Sequence, residues 1–176
     1  MFDHRPVQTV SPRPFTDTDS KTKKPLPRRS ETSLRLAVVV ISSPATYAVG
    51  REKIREFAHA VGETDPLYLD VEAARAAGYD DVVAPPMFAV VYSLPAVWPA
   101  LFDEEVGIDF AHMVHGGQEF AWGPVVVAGD EITTTASLKD VSERRGNGFF
   151  LFESVSVNGR GETVCTGLWS NIVRGG

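Results

Sequence analysis

The stretch Val82–Leu101, VVAPPMFAVVYSLPAVWPAL, carries no charged side chain and only two with a hydroxyl, Tyr92 and Ser93. A surface helix shows a polar face on every turn, so a run that is apolar on all sides predicts a helix enclosed by other structure. Its 20 residues match the length of a membrane span, but Pro85, Pro86, Pro95 and Pro99 cut the helical part to roughly 10 residues. The stretch therefore reads as a core helix. Pro85 and Pro86 suit its first turn, where N–H groups have no intrahelical partner, and Pro95 is expected to end or kink it.

Upstream, REKIREFAHAVG places Ile54, Phe57, Ala58 and Val61 at i, i+3, i+4 and i+7, the spacing of a helix with one buried stripe, and Gly62 supplies its stop. His59 falls off that stripe and reads as solvated. GETDPLYLD is a turn-rich connection, after which Asp70 caps a short helix, VEAARAA, that Gly78 ends. Downstream, DEEVGID is a polar loop and the remainder reads as strand. Ile132, Thr134, Ala136 and Leu138 alternate with Thr133, Thr135, Ser137 and Lys139, the period of a strand with one buried face. His115–Trp122, Gly148–Val157 and Thr163–Val173 are further strand candidates, separated by the turn signals GPV, AGD, RGNG and NGRG. The order predicts an α+β domain over residues 34–176, with helices wrapped by a following antiparallel sheet and the apolar helix in its concave face.

The 176 residues carry a net charge of −6, unevenly distributed. The first 35 hold eight Lys or Arg against four acids, a net of +4, which leaves −10 on the rest. An acidic body argues against nucleic acid or an anionic membrane as its partner. Residues 1–33 are rich in Pro, Ser, Thr and Lys without apolar periodicity and read as a disordered basic tail, within which TKKPLPRR is basic enough to touch phosphates. A translation start downstream of Met1 is an alternative account of the tail. Leu36–Ile41 reads as a strand, too short and too late for a secretory signal. The single cysteine, Cys165, forms no internal disulfide, which fits a reducing cytoplasm.

Three segments, YAVGREKIREFAHAVGETDPLY, GYDDVVAPPMFAV and VHGGQEFAWGPVVVAGDEI, occur in that order between about Tyr47 and Arg174. Together they resemble the N-terminal dehydratase domain of the MaoC-like family, which implies a hot-dog fold, an antiparallel sheet wrapped around a central helix. The chain is most similar to accessory subunits of actinobacterial heterodimeric (3R)-hydroxyacyl-thioester dehydratases. Such enzymes remove an α-proton, protonate a departing hydroxyl and stabilise an enolate-like oxygen. The resemblance implies that a motif Gly-Asp-x-Asn-Pro-x-His handles the protons. Here the matching residues run from Gly62 to Tyr68, with Glu63 at the Asp position and Tyr68 at the His position.

A glutamate arm displaces its carboxylate by about 1 Å, which can lower a rate on the order of 100-fold. A phenol is a poor base near neutral pH, where imidazole is well suited. The family's buried helix opens with Ala-His-Gly-Met, presenting a backbone N–H to the thioester oxygen. This chain has Ala84, Pro85, Pro86 and Met87, so the donor at the glycine position is absent. Base, acid and oxyanion donor are altered together, and no residue of the chain is assigned as catalytic.

The expected substrate-binding set is Tyr68, Ala84, Pro86, Met87, Phe88, Val91 and Tyr92, with Leu94 and Trp98 along an apolar channel between helix and sheet. A buried helix needs such side chains for its core in any case, and the sequence leaves both readings open. His115 and Asp130 read as turn or interface residues. His4, His59, His112, His115 and Cys165 lack metal-ligand spacing, and no Gly-rich phosphate loop follows a strand, so no metal or nucleotide cofactor is implied.

Three functions remain. The chain is the substrate-stabilising subunit of a dehydratase acting on acyl-ACP or acyl-CoA, paired with a catalytic MaoC-like subunit. Alternatively it is a self-sufficient homodimeric hydratase using Glu63, or a non-enzymatic acyl-thioester-binding protein. Because the composition of the tail offers little to pack, removing residues 1–33 is expected to leave the thermal midpoint within a few degrees. A collapse in folding yield would identify the tail as a packed element.

Overall fold

The computed structural model describes residues 39–40 and 42–175, so the basic tail lies outside the described residues. Of the expected strand over residues 36–41, Val39–Val40 (β1) is described, paired antiparallel with Leu138 and Ser137. Five further strands follow: β2 (Ala45–Ala48), β3 (Met113–Trp122), β4 (Glu131–Arg144), β5 (Asn147–Asn158) and β6 (Thr163–Val173). All described pairings are antiparallel, in the order β1-β4-β5-β6-β3, and β2 shares the β4 edge with β1. Ser42 bridges the gap between β1 and β2: its hydroxyl accepts from the Ala136 N–H at 3.2 Å and donates to the Ala136 carbonyl at 3.4 Å. The β2 strand escapes sequence reading because four residues are too few to display an alternation.

Helix α1 (Arg51–Val61) buries Ile54 and Ala58, two members of the expected stripe. Gly62 ends it at φ 78°, the left-handed conformation that glycine adopts without steric penalty, and Glu63 N–H then closes back on the Ala58 carbonyl at 2.8 Å. GETDPLYLD, expected as turns alone, contains a four-residue helix, α2 (Pro66–Leu69). Asp65 caps it by accepting from Leu67 N–H at 2.9 Å, and Pro66 occupies its first position. Asp70 caps α3 (Val71–Ala76) through Glu72 N–H, as the sequence predicts.

The apolar stretch forms a 3-10 turn, Pro86–Phe88, leading into α4 (Ala89–Leu101). Two expectations are corrected here. Helix α4 runs 13 residues, straight through Pro95 and Pro99. These prolines sit one turn apart on the exposed side, so the carbonyls deprived of an N–H partner, those of Val91 and Pro95, lie toward water. Nor is the helix enclosed all round. Ala89, Tyr92, Ser93, Ala96, Val97, Ala100 and Leu101 are buried, whereas Trp98 is 48% exposed. No helix among the described residues is long and apolar enough to cross a membrane.

The buried face of α4 lies over β4 and β5, where Ile132, Thr134, Ala136 and Leu138 point inward as their alternation predicts. Phe88, wholly buried, meets Phe57 edge-on at 5.5 Å and Tyr47 at 6.3 Å between ring centroids. Burying such a ring stabilises the fold by roughly 1.5–3 kcal/mol. Polar groups on the inner face find one another: Thr134 and Ser156 hydroxyls are 2.8 Å apart, and Trp169 Nε1 donates to Ser154 Oγ at 2.9 Å. Gly167 is required beneath that tryptophan, since a Cβ there would come within 2.7 Å of Ser154 Oγ and 2.8 Å of Phe120.

Arg51, at the start of α1, grips Asp81 with two nitrogens at 2.9 and 2.6 Å, and Asp81 also accepts from Val82 N–H. The hydrogen bond from Arg51, followed by that from Val82, holds the Asp81 carboxyl down at about 2. A carboxyl lowered on folding contributes stability that is complete above its unfolded value and is lost as pH falls through its folded value. Arg51 remains 45% exposed, so water screens the pair and its contribution is modest. Asp81→Asn is expected to lower the thermal midpoint by a few degrees at pH 7 and to leave it nearly unchanged at pH 2. Parallel loss at the two pH values would show that charge is not what this pair contributes.

Candidate functional site

Two depressions lie at the entrance to α4, where Pro85 and Pro86 contribute to both. The larger, about 550 Å³, is lined by Tyr68 of α2, by Tyr79 and Ala84, by Ala89 and Tyr92 of α4, and by residues 122–126 and Val164. The smaller, about 390 Å³, is lined by Phe57, Val61 and Glu63 at the end of α1, and by Met87 and Val90. Pro85 and Pro86 line both.

The walls are built from main-chain contacts. Residues 82–84 run beside the loop after β3: Ala84 N–H donates to Val126 O at 2.9 Å, and Ala128 N–H donates to Val82 O at 3.0 Å. Val83 and Val127 form an antiparallel bridge there. Val83 N–H also donates to Leu67 O at 2.8 Å, which attaches α2 to the same wall. Trp122, the last residue of β3, donates from Nε1 to the Pro86 carbonyl at 2.9 Å while staying 53% exposed. Gly123 then passes so close to β6 that a Cβ would stand 2.2 Å from Thr163 O.

The two residues that match the family's proton-handling positions line different depressions. Glu63 is held one residue past the left-handed Gly62 and lines the smaller depression; Tyr68, on α2, lines the larger. Partial burial, then the Glu63 and Asp65 charges, push the Tyr68 phenol above its ordinary value, further from acting as a base. Among the described residues, no carboxylate, imidazole or cationic side chain lines the larger depression. Burial drives the Tyr92 phenol strongly upward, assisted by the neighbouring Cys165 thiol, and burial raises that thiol as well. Pro85 and Pro86 have no N–H, and Phe88 N–H is taken by the Pro85 carbonyl at 2.8 Å.

Of the expected substrate-binding set, Tyr68, Ala84, Pro86 and Tyr92 come together in the larger depression. Met87 lines the smaller one. Phe88 lies wholly inside the core against Phe57, and Val91 packs half-buried against the same core cluster, so neither reaches the larger cavity. Leu94 packs against the second core cluster and Trp98 faces outward, and neither lines the larger or the smaller depression. The cavity instead runs from α2 across the helix entrance to the loop after β3. Sequence reasoning passed over Trp122, Pro124 and Val125, although an apolar WGPVV run at a turn was the available signal.

His115 lies in β3 at a bulge rather than in a turn, exposed, its ring 6.3 Å from that of Trp169. Asp130 is a turn residue: its carboxylate accepts from Val127 N–H at 2.9 Å, beside Gly129 at φ 96°.

Residues 37–167 match the family described as FAS1-like, dehydratase domain region. A UPF0336 protein of Clavibacter michiganensis subsp. michiganensis is 48% identical over 136 residues, covering 77% of this chain and 91% of that protein. Among solved structures, a chain of the C-terminally truncated HadBC (3R-hydroxyacyl-ACP dehydratase) complex of Mycobacterium tuberculosis aligns with a TM-score of 0.66 at 30% identity. It covers 77% of this chain and 95% of that one. A chain of the ChsH1–ChsH2 complex of the same organism, at 23% identity and a TM-score of 0.62 over 76% of this chain and 88% of that one, shares the fold. The sheet order, the helix in its concave face and these matches together place the chain in the FAS1-like dehydratase-region family, with the hot-dog fold of the MaoC-like dehydratases.

Proposed function

We propose that this chain is the substrate-stabilising subunit of a (3R)-hydroxyacyl-thioester dehydratase, acting on acyl-ACP or acyl-CoA beside a catalytic MaoC-like subunit. The observation that carries this reading is the larger depression itself, an apolar cavity of about 550 Å³ with no carboxylate or imidazole among the described residues that line it. An acyl chain is favoured there by removal of its methylenes from water, about 0.8 kcal/mol each. Elimination needs a base for the α-proton and an acid for the departing hydroxyl, within hydrogen-bond reach of each other's substrate atoms. Glu63 and Tyr68 line different depressions, and the Tyr68 phenol is pushed further from acting as a base, which supports reading them as no such pair.

The partner's carboxylate and imidazole take over the proton transfers, and the oxyanion donor lost at Pro86 is the partner's to provide. The outer edge of β3 carries no strand among the described residues, and an unpaired edge invites continuation of the sheet by a second hot-dog unit. Similarity to a chain of a 3R-hydroxyacyl-ACP dehydratase complex supports this assignment.

The purified chain alone is expected to hydrate trans-2-decenoyl-CoA at no more than about one hundredth of the rate reached with its catalytic partner, two orders of magnitude being a displaced proton-transfer group's usual effect. Mutating the partner's Asp and His should abolish turnover, whereas Tyr68→Phe here should change it by no more than a few-fold. Substantial activity from the chain alone that disappears in Glu63→Gln would instead establish a self-sufficient hydratase, and binding without turnover under all conditions a non-enzymatic acyl-binding protein.

A second expectation tests the cavity. Ala89 is buried at its wall, and Ala89→Leu should shorten the longest well-accepted acyl chain by about two or three carbons through loss of space. An unchanged chain-length profile in the folded variant would remove the acyl group from this cavity.

A further inference from the structure

Trp98, Phe102 and Phe110 keep 48%, 48% and 40% of their exposure. They are stacked on one another, with ring centroids 5.1 Å apart for Trp98–Phe102, 5.8 Å for Trp98–Phe110 and 4.5 Å for Phe102–Phe110. Scattered apolar residues on a surface need no explanation, but an ordered aromatic cluster marks a contact site. Trp98 and Phe102 come from the end of α4, and Phe110 opens the 3-10 turn, Phe110–His112, that runs directly into β3. Phe110 lies three residues before the start of β3, which brings the triad to the beginning of that strand's unpaired edge among the described residues.

Its rim is acidic. Between Phe102 and Phe110 the chain carries Asp103, Glu104, Glu105 and Asp109 with no Lys or Arg, and His112 is hydrogen-bonded to Asp109 at 2.7 Å. Two copies of this chain meeting through the patch would bring like charges together at close quarters, which disfavours that pairing. A second copy would also bring another cavity without an imidazole among the described residues that line it. A subunit with a basic rim and its own carboxylate–imidazole pair answers the charge and the chemistry together. A net charge of −10 on the body after residue 35 likewise disfavours an anionic lipid surface.

We propose that Trp98, Phe102 and Phe110 are the anchor by which this chain holds a catalytic hot-dog subunit, whose matching surface is apolar at its centre and basic at its rim. The proposal rests on the subunit assignment above and goes beyond it by naming the surface that selects the partner. Aromatic side chains at the centre of an interface contribute disproportionately to affinity, while acidic rim residues set the rate and salt dependence of association. Antiparallel pairing along β3 would bring the start of the partner's edge strand to Trp122, beside the larger depression. One contact surface thus assembles the complex and covers the mouth of the cavity.

The test is sedimentation velocity and calorimetry of the full chain with each MaoC-like chain of the same genome that carries an intact Gly-Asp-x-Asn-Pro-x-His motif. Wild type is expected to bind one of them, more weakly as salt rises. Trp98→Ser/Phe102→Ser should bind about 100-fold more weakly, with its thermal midpoint within a few degrees of wild type because the rings are half in water. Should that variant aggregate, Phe110→Gln alone, with a loss of about tenfold, makes the same test. Unchanged affinity in the folded variants would overturn the anchor while leaving the subunit assignment intact. Failure of wild type to bind any such chain would overturn both. Conversion of a wild-type homodimer to a monomer by the same substitutions, with hetero-binding unaffected, would assign the patch to a second copy and overturn the partner named here.

Discussion

The fold depends on one packing event, the seating of the inner face of α4 against β4 and β5. Ala89, Tyr92, Ala96, Val97 and Ala100 supply mostly small side chains that let the helix approach the sheet closely. Large rings fill the remaining space from either side: Phe88 against Phe57 and Tyr47 at one end, Phe152 and Trp169 at the other. Interiors packed to this density transmit any change in volume. Tyr92 illustrates the consequence, since one residue packs against the core and lines the larger depression, and its burial keeps the phenol protonated.

The entrance to that helix decides what the site can do. Two prolines in succession remove two main-chain donors from the place where a helix end offers partial positive charge. The Pro86 carbonyl is engaged by Trp122, so the end of β3 is tied to a residue that lines both depressions. Charge differs between the two. Glu63 lines the smaller depression; Tyr68 and Tyr92, whose phenols are pushed further from ionisation, line the larger.

The assignment of Glu63 and Tyr68 to different depressions was beyond sequence reasoning. Five positions apart in a motif, they read as one unit, but Asp65 and Pro66 start a new helix that carries Tyr68. The exposed face of α4 was equally hidden. Apolarity on every side of Val82–Leu101 is indistinguishable in one dimension from complete enclosure, and the open face becomes visible only where the sheet ends. Pro95 belongs to the same class of error: a local rule against proline in helices yields when the rest of the helix is held by tertiary packing.

What the sequence determined by itself were features with short-range causes. The bounds of α1 follow from its apolar spacing and Gly62, the cap of α3 from Asp70, and the inward face of β4 from its alternation. Departure from the family motif at Tyr68 and Pro86 was also legible, because a phenol in place of an imidazole, or proline in place of a glycine N–H, is a change of chemistry at one position. Only the tertiary structure decided which residues share a cavity. Trp122 meets Pro86 across 36 positions of chain, and Phe88, adjacent to a lining residue in sequence, points into the core instead. Cavity walls are assembled from segments that meet through the sheet and its loops, and that meeting is set by long-range packing that no local pattern records.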